Sequence, residues 1–252
     1  MNYIRGEYFR DIADNNKIYY RNTHDVNEFF KNSPKNDFIL ISHNSDGKIT
    51  NNPKEFDADV KLMPSNLIRW YGQNVNFKHN KIEALPIGLE NSQWFQQIGK
   101  LDKIIRKLNE NKKNYNLLYL NHNISTNASE RLKPYKLFSD KSWSTCEQGS
   151  NGFQFMNYID KIYNHKFVLS PEGNGTDTHR TWEILYLKSI PIEKRNINNQ
   201  FFTDLPICFV DDWEEITEDF LNKEYDRINS IKWNLEKLDF NYWKNKILSN
   251  VK

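Results

Sequence analysis

The chain has 252 residues, 35 Lys and Arg against 33 Asp and Glu, a formal charge of +2 and 14% aromatic residues. That length holds one large domain or two small ones with a real core, and the aromatic content argues against disorder. The near-balanced charge gives no electrostatic case for nucleic acid or a membrane surface as partner. Cys146 and Cys208 are far apart in sequence and have no metal-ligand spacing, so a reducing compartment is expected. The first residues, Met1-Asn2-Tyr3-Ile4-Arg5-Gly6-Glu7, have no apolar core of a signal peptide, and no apolar run is long enough to span a bilayer. The expectation is a soluble, cytoplasmic protein.

In chain order, Lys17–Tyr20 and Asp37–Ser42 read as strands with a helix over Asp25–Lys31 between them. The second strand runs into the polar turn His43-Asn44-Ser45-Asp46-Gly47. Residues 65–77 are aromatic and expected to be packed, and Ile82–Ile87 gives a further strand ended by Gly88. From about Ser92 to Lys113 the chain is charged and helix-like, with Leu101, Ile104, Ile105 and Leu108 on one face, and a domain boundary is expected at its start. A new alternation follows: strand Asn116–Leu120, helix Ser129–Lys136, helix Phe153–Tyr163, strand Lys166–Leu169, helix Asp177–Leu187 and short strands at Ser189–Ile192 and Ile207–Val210. Segments 214–227 and 231–249 have helical spacing. The expected fold class is α/β with largely parallel sheets: an N-terminal domain over 1–95, a second over 96–230, and a C-terminal helix over 231–252 packing back towards the first. Ligands of such sheets sit beyond the carboxyl ends of the strands. The turns at 43–47 and 170–176 both lie there, which predicts a cleft with one turn from each domain.

The most informative segment is 167–183. An apolar strand ends in a turn holding Gly173 and Gly175, and a helix with Arg180 and Glu183 follows at once. Free N–H groups and the helix dipole would converge on an anion there. Neither the dinucleotide fingerprint nor the P-loop is met, since Thr178 stands where the third glycine would be and no Gly-Lys-Ser/Thr follows. Two glycines alone describe a plain tight loop. Arg180 shifts the balance: a cation at a helix start opposes the macrodipole unless an anion binds beside it. Arg180 and Glu183, three apart, share a face. They are either a surface ion pair or a phosphate ligand beside an acceptor for ribose hydroxyls.

At these residues the sequence resembles the exostosin-type glycosyltransferases, notably their short viral and microbial relatives. The pattern is Ser170-Pro171-Glu172-Gly173-Asn174-Gly175, Asp177, His179-Arg180, Trp182-Glu183 and Ser189-Ile190-Pro191-Ile192, then Leu205-Pro206-Ile207 and Val210-Asp211-Asp212-Trp213. Weaker echoes are Ser42-His43-Asn44-Ser45-Asp46, Gln73-Asn74-Val75, Leu85-Pro86-Ile87-Gly88-Leu89-Glu90 and Tyr119-Leu120-Asn121-His122-Asn123 with Glu130-Arg131. The resemblance implies a GT-B fold, two Rossmann-like domains facing across a cleft. It also implies inverting transfer from a nucleotide sugar, UDP-linked in this pattern, to a glycan, with no essential metal. Unlike the animal and plant members, the chain is expected to have no membrane anchor and reduced acceptor-recognition loops.

Such transfer needs positive charge for the departing diphosphate and a base for the acceptor hydroxyl. Arg180, Arg131 and the N–H groups around Gly173–Gly175 are the candidates for the first task, with Asn123, Ser170, Glu172, Asn174 and Glu183 completing the donor site. Asp46 is the first candidate base and His43 its competitor; Glu90 and Glu172 are further carboxylates at strand ends. Trp70 and Tyr71 are candidates for stacking on an acceptor sugar. Asp57-Ala58-Asp59 matches a metal-holding D-x-D triplet but is short and common by chance, so no metal site is expected. His79, His122 and His165 read as surface or satisfied polar residues. A non-catalytic nucleotide- or glycan-binding module of the same fold is the alternative. A nucleotide-sugar epimerase is disfavoured by the incomplete fingerprint and the lack of Tyr-x-x-x-Lys.

Overall fold

The computed structural model describes residues 2–95, 104, 106–110, 116–147 and 155–251. Its strands form two parallel sheets, one on each side of segment 92–113. The first contains β1 (Ile18–Asn22), β2 (Phe38–His43), β5 (Leu67–Gly72) and β6 (Ile82–Ala84) in that spatial order. A two-stranded parallel pair, β3 (Ile49–Thr50) and β4 (Ala58–Asp59), lies in the β2–β5 connection. The second sheet has β7 (Asn116–Leu120), β8 (Ser144–Cys146), β9 (His165–Leu169), β10 (Ile190–Lys194) and β11 (Cys208–Val210) in the order β11-β10-β9-β7-β8. The helices are α1 (Gly6–Arg10), α2 (Val26–Lys31), α3 (Ser92–Phe95), α4 (Ala128–Phe138), α5 (Phe155–Tyr163), α6 (His179–Tyr186), α7 (Glu218–Ser230) and α8 (Phe240–Leu248).

Both faces of the first sheet are covered. All six residues of β2 are buried, as expected of an apolar run in a central parallel strand. Successive residues of β5 then divide between the two faces. The Trp70 ring packs edge-on against Phe30 of α2, 5.1 Å between centroids, and the Tyr71 hydroxyl on the other face accepts from Asn250 just past α8. Thus the C-terminal helix does pack back on the first sheet. Lys246 pairs with Glu83 of β6, the Phe240 N–H donates to the Asn2 carbonyl, and the Phe240 ring meets Phe9 of α1. Asp239 caps α8 through the Asn241 N–H, and Thr217 caps α7 through the Phe220 N–H, which starts both helices where their acceptor side chains fall.

In the second sheet Leu118, Leu120, Phe167 and Leu169 pack in one core with Phe138 of α4 and Leu221 and Ile228 of α7. The residues alternating with them, Tyr119 and Val168, join α5 and α6 in the larger core. That larger core continues into the first sheet without a break. Trp182 of α6 packs on Phe202 (5.2 Å), and Phe202 packs on Trp243 of α8 (6.2 Å). The Tyr186 hydroxyl accepts from the Ile4 N–H and donates to the Leu238 carbonyl. Helix α6 therefore lies between the two sheets and is held from both sides.

Most expected strands and helices are present to within a few residues, and β7 has the expected bounds, but the helix expected over 231–249 is confined to α8, with a 3-10 turn at Glu236–Leu238 before it. The helix expected over Asp25–Lys31 is split, with a 3-10 turn at Thr23–Asp25 before α2. The strand expected to reach Ile87 stops at Ala84, because the Ile87 N–H turns away to Asp177. Helix α1, the β3–β4 pair and β8 were not expected from the sequence, and residues 65–77, expected only to be packed, contain the strand β5. In the segment 92–113, Ile104 is buried and Leu108 packs against the larger core; Leu101 and Ile105 lie outside the described residues. So do Phe153 and the start expected for α5. Both cysteines are free thiols, and no described helix is long and apolar enough to cross a membrane.

Candidate functional site

The order of the second sheet creates its own crevice. After β7 the chain crosses through α4 to β8 on one side, whereas β9 lies on the other side of β7 and leads on to β10 and β11. Connections leaving β7 and β9 therefore diverge, and a gap opens beyond their carboxyl ends, the usual ligand position of an open parallel sheet. The segments that enter it are Asn121-His122-Asn123 after β7, Arg131 on α4, the turn 170–178 after β9, and Arg180 on α6.

Arg131 is buried, and its side chain is fixed by two main-chain acceptors. Its Nε donates to the Glu172 carbonyl (2.8 Å) and one terminal nitrogen to the Asn123 carbonyl (3.0 Å). Neutral carbonyls orient the guanidinium but do not cancel its charge. Burial first, then the neighbouring Arg180, hold the Arg131 pKa down to about 10. Arg180 lies with its guanidinium 5.5 Å from the Tyr158 ring centre, a cation–π contact. Its Nη1 is buried and has no hydrogen-bond partner among the described residues. The Arg180–Glu183 ion pair is not formed; the Tyr158 hydroxyl donates to Glu183 instead, at 2.8 Å. Neither arginine has a carboxylate partner among the described residues. Two adjacent cations that lack a counter-charge, one with a buried unmet donor, suit an anion with several oxygens.

His122, expected from the sequence to be a surface or satisfied polar residue, departs from that expectation. It is buried: its Nε2 meets the Arg131 carbonyl at 3.0 Å, and its Nδ1 is buried without a partner among the described residues. Burial, then Arg180 and Arg131, lower its pKa to about 4, so the ring is neutral and Nδ1 is an open acceptor beside the two cations. The signal was available in the sequence as a polar His at the end of a strand that precedes Arg131. His165 and His79 do have partners.

The glycine turn works differently from the expectation. The Gly173 N–H donates to the Gly175 carbonyl inside the turn, so it is not free for a ligand. The glycines serve close approach instead. A Cβ on Gly173 would stand 2.9 Å from a terminal nitrogen of Arg131, and one on Gly175 would stand 2.7 Å from the Asn74 side chain. Ser170 is also used internally: its hydroxyl bonds Thr178 and Thr181. Asn123 contributes its carbonyl to Arg131, while its side chain caps the turn at Ser125. Glu172 is pushed up in pKa by burial and accepts from Asn196, and Asn174 is exposed at the tip of the turn.

The first sheet's turns meet this one directly. Asn74 follows β5 in the left-handed region, φ 58°, which Asn tolerates. Its side chain accepts from the Asp177 N–H (2.9 Å) and donates to the Ser45 carbonyl (3.1 Å), joining the turns of the two halves. Asp177 in turn accepts from the Ile87 N–H (2.7 Å) and from the Trp182 indole, and His179 Nδ1 meets the Gly88 carbonyl (2.7 Å). Segments 73–75, 85–90 and 170–183, distant in sequence, thus form one latch. Burial raises the Asp177 pKa to about 7.

Asp46 is exposed at the carboxyl edge of β2 and borders two cavities, one of about 630 Å³ with His179 and Glu90 on its wall, the other of about 900 Å³ with Asn174 on its wall. His43 is fully buried, so as a base it is corrected. Its Nδ1 accepts from the Asn44 N–H (2.9 Å), its Nε2 meets the Pro86 carbonyl (3.0 Å), and burial lowers its pKa to about 4. Both nitrogens are occupied in a neutral ring that fixes the turn carrying Asp46. Trp70 and Tyr71 are likewise corrected. Each is 0% exposed, the indole donating to Ser42, and neither offers a face to a sugar. In the D-x-D triplet both oxygens of Asp57 accept backbone N–H groups, from Lys48 and Lys54, and Asp59 accepts from Lys61, so the carboxylates brace the loop. Compared with known proteins, the chain matches no family model, and no curated protein matches it at a significant level.

Proposed function

We propose that this chain is an inverting glycosyltransferase of GT-B architecture that moves a sugar from a nucleotide diphosphate sugar, UDP-linked by the exostosin-type resemblance, to a glycan hydroxyl in the cytoplasm without a metal. The observation that carries this reading is the pairing of Arg131 and Arg180, buried or half-buried and without a carboxylate partner among the described residues, in the crevice between β7 and β9. A diphosphate supplies the missing negative charge and fits the guanidinium fork. The carboxyl edges of the two sheets face each other across the Asn74–Asp177 contact, as two opposed nucleotide-binding-type domains require. Four of the motif pieces on which the resemblance rests, 42–46, 73–75, 85–90 and 170–183, meet at that contact, which favours one functional unit over chance matches.

In this mechanism the acceptor oxygen attacks the anomeric carbon from the first-sheet side and the bond to the diphosphate oxygen breaks. The hydroxyl proton passes to Asp46, and the diphosphate leaves with its growing charge held by Arg131 and Arg180. His122 Nδ1 accepts from a donor hydroxyl. Glu183, fixed by Tyr158, lies one turn along α6 from Arg180 and stands for the ribose contact.

The test is incubation with a panel of nucleotide sugars and oligosaccharides in EDTA, followed by mass spectrometry. The expected result is a gain of one sugar on an oligosaccharide, with release of the nucleotide diphosphate. Nucleotide binding without any turnover would replace this reading with a non-catalytic binding module, and activity lost on chelation would overturn metal independence.

A further inference from the structure

The exposed ring of Phe56 belongs to a loop that is built to hold it out. Phe56 is 63% exposed, and among the described residues no other aromatic side chain is classed as exposed. A lone exposed apolar residue ordinarily means nothing. Here, however, the loop from Lys48 to Asp57 is braced at several points. Asp57 accepts from the Lys48 N–H (2.7 Å) and the Lys54 N–H (3.0 Å), its carbonyl accepts from Asn27 of α2 (2.9 Å), and Asn27 also accepts from the Asp59 N–H (2.8 Å). The β3–β4 pair closes the base of the loop. A ring held in water by a rigid loop is prepaid in conformational entropy for a partner.

Phe56 lines a cavity of about 900 Å³ together with Asn174 of the glycine turn and Asp46. The rest of the wall mixes amides and hydroxyls, Asn51, Asn52, Asn76 and Thr50 among them, with charged side chains. Its charges, Lys48 and Lys54 against Asp46, Glu55 and Asp57, nearly cancel. An apolar platform beside a rim of neutral donors and acceptors matches a pyranose, which has a C–H face and hydroxyls around its edge. The volume lies within the range of small-ligand sites and takes more than one sugar ring.

We infer that the cavity between the Lys48–Asp57 loop and Asn174 binds a neutral oligosaccharide, with one pyranose stacked on Phe56 and a neighbouring hydroxyl directed to Asp46. That this sugar is the acceptor rests on the transferase reading; that the site binds a glycan does not. Cellotetraose, chitotetraose and β-1,4-galactotetraose are the probes, each followed by saturation-transfer NMR and titration without nucleotide, with UDP titrated separately. At least one tetrasaccharide binds the wild type. Phe56→Ala weakens it about tenfold, the effect of removing roughly 60 Å² of apolar contact, Phe56→Trp retains it, and neither variant changes UDP affinity. Glycan binding lost in Phe56→Ala when UDP does not bind would keep this site and remove the transferase reading. UDP binding with no tetrasaccharide bound, or with binding unaltered in Phe56→Ala, would overturn the inference and leave the donor site standing.

Discussion

Replacing Arg180 with Met separates a ligand-binding arginine from a structural one. In the folded chain Arg180 has a cation–π contact with Tyr158 at 5.5 Å, a buried Nη1 without a partner among the described residues, and Arg131 as a like-charged neighbour. Losing the cation–π contact costs about 0.5–2 kcal/mol, and losing the repulsion on Arg131 offsets part of it. Among the described residues Arg180 donates no hydrogen bond whose acceptor would be orphaned, so folding stability should change by about 1 kcal/mol or less. Binding of UDP is a different matter. Each charge-assisted hydrogen bond to a phosphate oxygen is worth about 1.5–3 kcal/mol, so two of them correspond to at least about a hundredfold in Kd. Arg180→Lys keeps the charge without the fork and should fall between the two. Calorimetric titration with UDP and urea unfolding of the three proteins give both quantities. Unchanged UDP affinity in Arg180→Met, or a loss of several kcal/mol in stability, would refute the reasoning.

Asp46→Asn should lower transfer by about 10²–10⁴-fold while UDP binds as before, because a general base contributes on that scale; equal turnover in a coupled UDP-release assay would move the base elsewhere. Trp70→Phe removes the indole bond to Ser42 and leaves a small void, so it should cost about 1–3 kcal/mol in urea unfolding and leave UDP and tetrasaccharide binding unchanged. A selective loss of glycan binding would restore Trp70 to the site. Asp177 has a folded pKa of about 7 against 3.8 unfolded, so the folded chain holds the extra proton between those values. The stability linked to it is complete below about pH 4 and is lost as pH rises through 7, an amount near 4 kcal/mol. Asp177→Asn cannot ionise, so its stability relative to wild type should rise between pH 5 and pH 8 in paired urea titrations, and a constant difference would mean that Asp177 is already ionised in the folded chain at pH 5, against a raised pKa.

The α/β alternation was legible because its strands are buried on both faces and read as apolar runs, as in Phe38–His43 and His165–Leu169. The β3–β4 pair and β8 were not, since two- and three-residue strands with partly exposed or mixed residues carry no periodicity. Arg131 could be singled out because it follows a strand and a polar turn, and Arg180 because a cation at a helix start opposes the macrodipole. What one-dimensional reading could not supply was depth. Trp70 and Tyr71 look like sugar platforms until the sheet closes over both faces, and His43 looks like a base until Pro86 and Asn44 occupy its nitrogens. The Gly173 N–H is taken by the Gly175 carbonyl, and both glycines make room for residues far away in sequence, Arg131 and Asn74. Phe56 was invisible for the opposite reason: nothing local distinguishes a ring held in solvent from one held in a core.

The most direct test is titration of the wild-type chain with UDP, UMP and uridine in EDTA. Recognition of a diphosphate by Arg131 and Arg180 predicts that UDP binds at least tenfold tighter than UMP, that UMP binds tighter than uridine, and that both steps shrink as salt is raised. Equal affinities across the three, or no binding of UDP, would contradict the central claim that the crevice between β7 and β9 is a diphosphate site.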